Sequence, residues 1–428
     1  MTKSRVAILK TEPGSVIADY AELMHLAGYQ DVIAPDADTA LKVNISWHFF
    51  YPGSSTTPWQ LDGVIRTMLQ DGYDPSLIHA CHNRTVVIDA HLGERENKQL
   101  PVVEAHGLDN VHLYEGEEWI HIRDAVGDLA DDFLCLNEVY PKGFHIPRRF
   151  IGENIIHLPT VKTHVFTTTT GAMKNAFGGL LNEKRHWTHP VIHETLVDLL
   201  MIQKKIHRGV FAVMDGTIAG DGPGPRCMIP HVKNVILASS DQVAIDAVAA
   251  ALMGFDPMDI RFIRLAHELG LGCGDLREIE LVGDASAAAE RWNFVGPFKK
   301  MTFASRMQHK IYWGPLKKPI EWSLKTVLAP WAYAASVLYH DTFWYPFKAK
   351  KQMAEVLESE WGRLFRDWEG QQPDEKGFPQ IGDSPAELKR TGLAAFWTSL
   401  GILGTCLKEA PEIAQRRRMT ATSKPRES

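Results

Sequence analysis

The sequence predicts an α/β fold, a layered sandwich with a mixed or mostly parallel sheet, followed by a helical, aromatic-rich C-terminal extension. Short apolar runs alternate with helix-period segments up to about residue 285, a pattern typical of strands and helices packed in layers. From Trp292 to Trp368 the chain is rich in aromatics and lysine and shows no strand alternation. We therefore expect an α/β domain at 1–285, a helical extension or lid at 286–370, and a partly disordered tail at 371–428.

The N-terminal part of the predicted domain begins with a strand and a helix. The segment Pro58–Gln70 predicts a second helix, because a proline suits the first helical turn and the apolar residues that follow it share one face. The other predicted elements of this part are strand Val6–Leu9, a helix over about Ser15–Leu26, the extended run Thr39–Ile45, and strands Leu77–His79 and Thr85–Ile88.

The second part of the predicted domain repeats this alternation. Asp241 stands just before an alanine-rich helical segment, where its carboxylate can cap the helix. The predicted elements are strand Ile155–Leu158, helix Pro190–Ile206, strands Val210–Met214 and Val235–Ala238, helices Val243–Met253 and Ile260–Leu269, and strand Ile279–Val282.

Composition excludes several classes of protein. A net charge of −6 gives no drive toward nucleic acid or anionic membranes. The five cysteines lie far apart without a CxxC pair, which excludes a local iron–sulfur cluster motif and a zinc ribbon. These scattered cysteines, with no secretory leader, predict a cytoplasmic protein. The longest uncharged apolar stretch, 326–340, contains Pro330 and falls short of the roughly 20 residues that span a bilayer.

Cationic and polar residues are concentrated after the strand predicted at Ile155–Leu158. Lys162 and His164 alternate, so both side chains can lie on one side of a sheet edge. Lys174 and Asn175 follow a loop of threonines and would lie near a helix start, where backbone N–H groups attract phosphate or carboxylate. The sequence therefore predicts a pocket for a small anionic ligand, with a solvated loop as the alternative interpretation.

Two acidic residues complete this predicted site. Asp215 directly follows the strand predicted at Val210–Met214, and ligands bind beyond the carboxyl ends of strands in open α/β sheets. Asp246 lies one turn into an apolar helix, where a buried carboxylate needs a partner. We expect a lysine of the 162/174 group to be that partner, and both acids to position the lysines or a cation.

Histidines offer a weaker metal hypothesis. His189 and His193 are four residues apart, a spacing that can share a metal ion on a helix. No HExxH motif or comparable ligand set accompanies the pair, so a surface or core role is the more common outcome. The metal is left unknown.

The motifs resemble those of the bacterial and archaeal family called domain of unknown function 362, over residues from about 5 to 285. They include Lys42-Val43-Asn44, Thr56-Thr57-Pro58, Lys162-Thr163-His164, Met173-Lys174-Asn175, Phe177-Gly178-Gly179, Asp215-Gly216, Gly222-Pro223, Ala238–Ala247 and Gly270-Leu271-Gly272. The resemblance adds Lys42 and Asn44 to the expected site. Many relatives are fused to a ferredoxin-like iron–sulfur module, which implies a redox reaction or an external electron-transfer partner for part of the family.

The hypothesis is an enzyme that binds a small anionic substrate or cofactor. His164, Lys162 and Asp215 would be catalytic, with His164 as the acid/base because the pKa of an unperturbed imidazole lies near neutral pH. The remaining residues would bind substrate: Lys42, Asn44, Lys174, Asn175 and Asp246. The reaction would be a reduction fed by an external donor. The alternatives are a metal-assisted acid/base enzyme, or a non-enzymatic scaffold that docks to a partner or a membrane surface through its aromatic C-terminal region.

Overall fold

A computed structural model describes residues 3–83, 88–299, 301–302, 306–307, 310, 336 and 338–368. A ten-stranded sheet forms the centre of the molecule, with strand order β12-β1-β11-β10-β7-β2-β3-β4; β8 also pairs with β10, and β9 pairs with β8. The strands are β1 Ser4–Lys10, β2 Thr39–Val43, β3 Ile78–His82, β4 Asp109–His112, β5 Trp119–His121, β6 His145–Pro147, β7 Asn154–Leu158, β8 Thr160–His164, β9 Thr168–Thr169, β10 Val210–Asp221, β11 Ile229–Ser239 and β12 Ile279–Gly283.

Most neighbours in this sheet are parallel, as predicted. The parallel pairs are β1 with β12, β10 with β7 and β8, β2 with β7 and β3, and β3 with β4. Strand β11 is antiparallel to both β1 and β10, and β9 is antiparallel to β8. Strands β5 and β6 form a separate antiparallel pair. The carboxyl ends of β2, β3 and β4 therefore share one edge of the sheet.

Helices cover both faces. The N-terminal ones are α1 Val16–Leu26, α2 Pro58–Gln70, α3 Ala90–Glu96, α4 Gln99–Ala105, α5 Ile122–Val126 and α6 Leu136–Val139. They are followed by α7 Gly171–Asn175, α8 Phe177–Leu180, α9 Ile192–Ile206, α10 Gln242–Met253, α11 Arg261–Glu268 and α12 Gly296–Lys299. Short 3-10 helices occupy Tyr29–Asp31, Pro75–Leu77, Gly127–Asp132, Arg148–Phe150, Glu183–Val191, Pro257–Asp259 and Ala285–Ala289.

Two apolar layers hold the sheet between these helices. Helices α1 and α2 bury their apolar faces on one side of the sheet. Helices α7, α9, α10 and α11 cover the other side. Alternate residues of a strand enter opposite layers: Leu41 packs with the α1/α2 layer, whereas Ala40 packs with the α9/α10 layer. This alternation also decides to which side each polar residue of the site points.

Several predicted elements are confirmed within a residue or two. Helix α2 has the predicted bounds, begins with Pro58, and is capped by the Thr57 hydroxyl, which accepts from the Gln60 N–H. Helix α10 is capped by Asp241 as expected, since one carboxylate oxygen accepts from the N–H groups of Val243 and Ala244 at 2.9 and 3.0 Å. The predicted strand Thr85–Ile88 lies outside the described residues except for Ile88.

Several predicted strand boundaries were wrong, among them the start of β11, which is Ile229 instead of Val235, and the end of β3, which is His82 instead of His79. Two further errors bear directly on the site. The strand expected to end at Met214 continues to Asp221, because its second half pairs with β11. The segment Lys162–His164, expected just beyond a strand, is part of β8, which pairs with β10 and β9. Both errors arise from pairing between distant segments, which local periodicity does not report.

The described part of the C-terminal extension is helical, with a helix at Leu338–Ala349, α13 at Lys350–Glu358 and α14 at Glu360–Asp367. It packs into the main domain: the Trp361 ring lies 5.2 Å from that of Trp59, and the Phe365 ring stacks on Phe50 at 3.6 Å. Trp344 is buried beside Trp47. Residues 311–335 of the aromatic region and the predicted tail 371–428 lie outside the described residues.

Candidate functional site

Lys162 is a buried lysine that fixes the loop after β2. Its side chain is fully buried, and its Nζ donates to the Ser46 hydroxyl at 2.7 Å and to the Ser54 carbonyl. The Ser46 hydroxyl in turn donates to Asn44 Oδ1 at 3.0 Å. Burial, followed by the charge of Lys174, holds the pKa of Lys162 well below its usual range. Asn44 therefore organises the loop that receives the lysine.

His164 stands two residues along the same strand. The backbone N–H of Phe166 donates to its Nδ1 at 3.1 Å, so Nδ1 is unprotonated and the neutral ring carries its proton on Nε2. Burial first, and then the charges of Lys174, His189 and Lys162, hold the pKa of His164 well below its ordinary value. The imidazole is a neutral hydrogen-bond donor at physiological pH.

Lys174 lies on the short helix α7, where its ammonium faces the Phe177 ring at 5.1 Å from the ring centre. Within the described chain this ammonium makes no hydrogen bond or ion pair. Burial, reinforced by Arg185, lowers the pKa of Lys174 to about 7. Lys174 and Gly178 are half-buried, so the site reaches solvent here.

Lys42 and Asn175 are joined across the site, because the Asn175 amide donates to the Lys42 carbonyl at 2.7 Å. Helix α8 passes close over the lysine: a Cβ at Gly179 would lie 3.3 Å from Lys42 Cε. Burial, together with the charge of Arg185, lowers the pKa of Lys42 to about 8. The close approach gives a physical reason for glycine in the Gly178-Gly179 pair.

These residues form one cationic cluster, defined as Lys42, Lys162, His164, Lys174 and Arg185. The members are close enough to affect one another's pKa. The charge of Arg185 lowers the pKa of Lys42 and Lys174, and the charge of Lys174 lowers the pKa of Lys162 and His164. The three lysines make no ion pair with any carboxylate in the described residues. Arg185 was missed from the sequence, although it lies between the Gly-Gly pair and helix α9.

The threonine loop beside His164 is strained and incompletely hydrogen-bonded. Thr168 pairs with His164 and has a φ of +66°, a conformation that β-branched residues rarely adopt. The hydroxyls of Thr169 and Thr170 are buried and have no hydrogen-bond partner among the described residues. Strain and unused donors at one place are typical of a ligand-binding loop.

Asp246 does not pair with a lysine, contrary to the sequence prediction. Its two carboxylate oxygens accept from the backbone N–H groups of Ala172 and Met173 at 2.5 and 3.1 Å, at the start of α7. Burial raises the pKa of Asp246 to about 8, against the opposing effect of these two hydrogen bonds. Asp246 therefore positions the helix that carries Lys174 and Asn175.

Asp215 also lies away from the lysines. Its side chain enters the α1/α2 layer, and one oxygen accepts from Tyr20 at 3.0 Å, Thr57 at 2.6 Å and Trp59 at 2.8 Å. The other oxygen accepts from the hydroxyl and N–H of Thr217 at 2.7 and 2.8 Å. Burial raises the pKa of Asp215. The expected contact with the lysines is absent because β10 continues past this residue inside the sheet.

A set of potential metal ligands lies at the carboxyl ends of β3 and β4. Within the described residues, the side-chain ligand atoms of His82, Glu94 and His112 lie within 4.8 Å of one another. The His189–His193 pair proposed from the sequence belongs to no such set of three among those residues. His193 instead stacks on Phe262, with ring centres 6.0 Å apart.

Comparison with known proteins identifies the domain that carries this site. The family described as domain of unknown function (DUF362) matches residues 39–251. A thylakoid-associated protein of Synechocystis is 28% identical over 120 residues, which are 27% of this chain and 37% of that protein. The match thus covers little more than a third of the relative. No solved structure matches the chain.

None of the helices in the described residues is both long and apolar enough to cross a membrane. The matched range 39–251 includes every member of the cationic cluster, the metal-ligand set, Asp215 and Asp246. The resemblance inferred from the motifs is therefore confirmed for residues 39–251, which match the family described as domain of unknown function (DUF362).

Proposed function

We propose that the protein binds a small anion, with phosphate or carboxylate groups, at the cationic cluster, and acts on it as an enzyme. The observation that supports this proposal is that the buried Lys42 and Lys162 and the half-buried Lys174 have no carboxylate partner in the described chain. An uncompensated buried charge is unfavourable, so the cluster attracts an anion that enters it.

The lowered pKa values fit this role. The pKa of Lys174 is lowered to about 7 and that of Lys42 to about 8. An anion that binds beside them favours their charged forms, so binding raises both pKa values and takes up protons. The free hydroxyls of Thr169 and Thr170 add donors for ligand oxygens.

His164 supplies the proposed chemistry. Its Nε2–H is set by the hydrogen bond that Nδ1 accepts from Phe166, so the neutral ring can donate a hydrogen bond to a ligand oxygen and stabilise negative charge that develops there. Two reaction types develop such charge: acid/base chemistry without electron transfer, and reduction of the bound anion with electrons from an external protein. The redox variant rests on the iron–sulfur modules of family relatives. Within this proposal the protein acts in the cytoplasm.

Isothermal titration calorimetry with inorganic phosphate and with sulfate tests the binding site. Lys174→Met is the informative variant, because the ammonium has no described hydrogen bond to lose and methionine keeps the length of the side chain. We expect wild type to bind, Lys174→Met to lose at least tenfold in affinity, and its melting temperature without ligand to stay unchanged or rise.

Lys205→Ala is the matched control, since Lys205 is exposed on α9. It should bind as wild type does. Equal affinity of wild type and Lys174→Met for both anions would reject the site. A screen of phosphate esters and oxo acids by mass spectrometry then separates an enzyme, which converts a bound compound, from a binding scaffold, which does not.

A second candidate function is docking to an anionic membrane surface. Phe343 and Phe347 are 50% and 70% exposed on one helix, their ring centres are 5.9 Å apart, and exposed Lys348 follows them. The Synechocystis relative is described as thylakoid-associated. Sedimentation with anionic liposomes at low salt tests this function. Wild type should sediment and the Phe343→Ser/Phe347→Ser variant should not, whereas a wild type that stays in the supernatant rejects it.

A further inference from the structure

Three histidines and two glutamates come together at the carboxyl ends of β3 and β4. His82 and His112 are the last residues of these strands and are direct partners in the parallel pair. Helix α3 follows the first strand and presents His91 and Glu94. Glu115 lies three residues beyond His112. We call these five residues the β3–β4 histidine cluster.

The inner part of this cluster has the geometry of a metal site. The Nε2 atoms of His82 and His112 face the same oxygen of Glu94, at 2.7 and 3.0 Å. Around a tetrahedral cation with ligand atoms at about 2.0–2.2 Å, neighbouring ligand atoms lie roughly 3.3 Å apart. Small shifts of the two rings would therefore make room for the ion. Two imidazoles and a carboxylate suit a divalent transition metal, and leave open positions for water or a substrate.

The surroundings supply the outer contacts that hold metal ligands in place. The Asn110 amide donates to Glu94 Oε2 at 2.8 Å, which fixes the carboxylate. On its far side, His112 Nδ1 faces Glu115 Oε2 at 3.8 Å, and Glu115 Oε1 contacts His91 Nε2 at 2.7 Å. A carboxylate behind a histidine orients the ring and sets its tautomer, as is common in metal proteins.

A structural hydrogen-bond cluster explains this arrangement less well. A carboxylate oxygen ordinarily accepts about two hydrogen bonds, whereas here two imidazoles and an amide converge on Glu94 Oε2. The other oxygen, Oε1, has His91 Nδ1 at 3.6 Å, beyond hydrogen-bond distance. Two imidazole nitrogens directed at one carboxylate oxygen are what we expect where His82, Glu94 and His112 share a metal ion.

We propose that His82, Glu94 and His112 bind a divalent transition-metal ion of the Zn²⁺ or Fe²⁺ type. The site lies next to the cationic cluster, because Cys81, which precedes His82, is the cross-strand partner of Lys42. Asn83, which follows His82, donates to the Leu181 carbonyl at 3.0 Å near the end of α8. The inference does not depend on anion binding, since it can be tested with the metal alone.

Titration of the untagged full-length protein with Co²⁺ tests the proposal, because Co²⁺ reports its ligands in the visible spectrum. We expect one equivalent to bind with visible absorption bands that Zn²⁺ abolishes and Mg²⁺ does not. Glu94→Gln and His112→Ala should lose the bands and at least tenfold in affinity. His25→Ala is the matched control, because His25 pairs with one carboxylate, Asp71, at a half-exposed site; its titration should match wild type.

His112→Cys keeps the proposal testable if the alanine variant does not fold. A thiolate at this position would ligate Co²⁺ and add a sulfur-to-metal band in the near ultraviolet. Absence of stoichiometric Co²⁺ binding in wild type would overturn the proposal. So would unchanged Co²⁺ spectra in folded Glu94→Gln and His112→Cys, since the ion would then bind elsewhere.

Discussion

At the scale of single residues, the lowered pKa values in the cationic cluster predict that the proposed anion binding depends on pH. Lys174 and Lys42 have pKa values lowered to about 7 and about 8, so both are charged at pH 6 and neutral at pH 9. We expect sulfate affinity to fall as pH rises through this range, by up to about tenfold per pH unit for each titrating lysine. Sulfate keeps its own charge throughout. Calorimetry from pH 6 to pH 9 measures the effect.

Lys174→Met provides the check on that dependence. The fall in affinity near pH 7 should disappear in this variant, while the fall near pH 8 stays. A sulfate affinity that is constant from pH 6 to pH 9 in wild type would mean that neither lysine contacts the anion.

Gly171 is a residue whose replacement should destabilise the protein. Its φ is +71°, and a Cβ there would lie 2.2 Å from a carboxylate oxygen of Asp246. Gly171→Ala should therefore destabilise the protein by about 2–4 kcal/mol, through strain and displacement of the carboxylate that holds α7. Gly107→Ala is the control, because Gly107 has a φ of +64° and no neighbour within 4 Å. Urea denaturation should show a loss of about 1 kcal/mol for the control, and equal losses would contradict the proposed clash.

At the scale of elements, Lys98 holds helix α14 onto the domain. Its Nζ donates to three carbonyls at the end of α14, those of Phe365, Arg366 and Trp368, at 2.6, 2.8 and 3.2 Å. A cation at the carboxyl end of a helix stabilises the helix. Removal of the ammonium would leave three carbonyls without this donor, which is unfavourable. Lys98→Met should lower the free energy of unfolding by about 2 kcal/mol and increase amide exchange in α14.

The control for this change is Lys348→Met, which removes an exposed lysine of the helix at Leu338–Ala349. It should leave both measurements unchanged. Equal exchange in α14 of wild type and Lys98→Met would show that the aromatic contacts alone hold the helix.

Local patterns predicted the helices well and the sheet less well. Helix α2 was predicted with its bounds because the proline start and the apolar face are both local signals. Strand β10 was predicted too short because its second half is stabilised by β11, which neither length nor periodicity reveals. The position of Asp215 was misjudged for the same reason.

The site was predictable in part. Lys162, His164 and Lys174 are close in sequence, and their shared location follows from one strand and one short helix. Arg185 and the β3–β4 histidine cluster were missed, because their partners meet through sheet order. His82 and His112 become neighbours through the parallel pairing of β3 and β4, which the 29 residues between them conceal in the sequence. The catalytic assignment of His164 stays a prediction.

At the scale of the whole molecule, buried histidines predict sensitivity to acid. Burial lowers the pKa of His79 and His207 to about 3 and that of His157 to about 4, and holds the pKa of His164 and His340 well below the ordinary value. Between pH 6.5 and pH 4 the unfolded chain binds more protons at these residues than the folded one. Stability therefore falls as pH decreases through this window.

Buried carboxyl groups oppose this trend. Burial raises the pKa of Asp246 to about 8 and that of Glu153 to about 7, and it also raises the pKa of Glu96, Asp198 and Asp215, so the folded state holds protons there that the unfolded state lacks in this window. The histidines still outnumber these carboxyl groups, because burial lowers the pKa of His82 and His193 as well, and we expect a net loss of stability from pH 6.5 to pH 4. Urea denaturation at several pH values measures it. A stability that increases toward pH 4 would contradict the burial of neutral imidazoles.

The loop between β2 and α2 is held by hydrogen bonds on two sides. On its inner side it receives the ammonium of Lys162 through Ser46 and Ser54. On its outer side Asp341 accepts from the Trp47 indole at 2.7 Å, and the Tyr345 hydroxyl donates to the Phe50 carbonyl at 3.0 Å. The helix at Leu338–Ala349 thus supports the loop that accepts hydrogen bonds from Lys162, so a displacement of this helix would be transmitted to the proposed anion site.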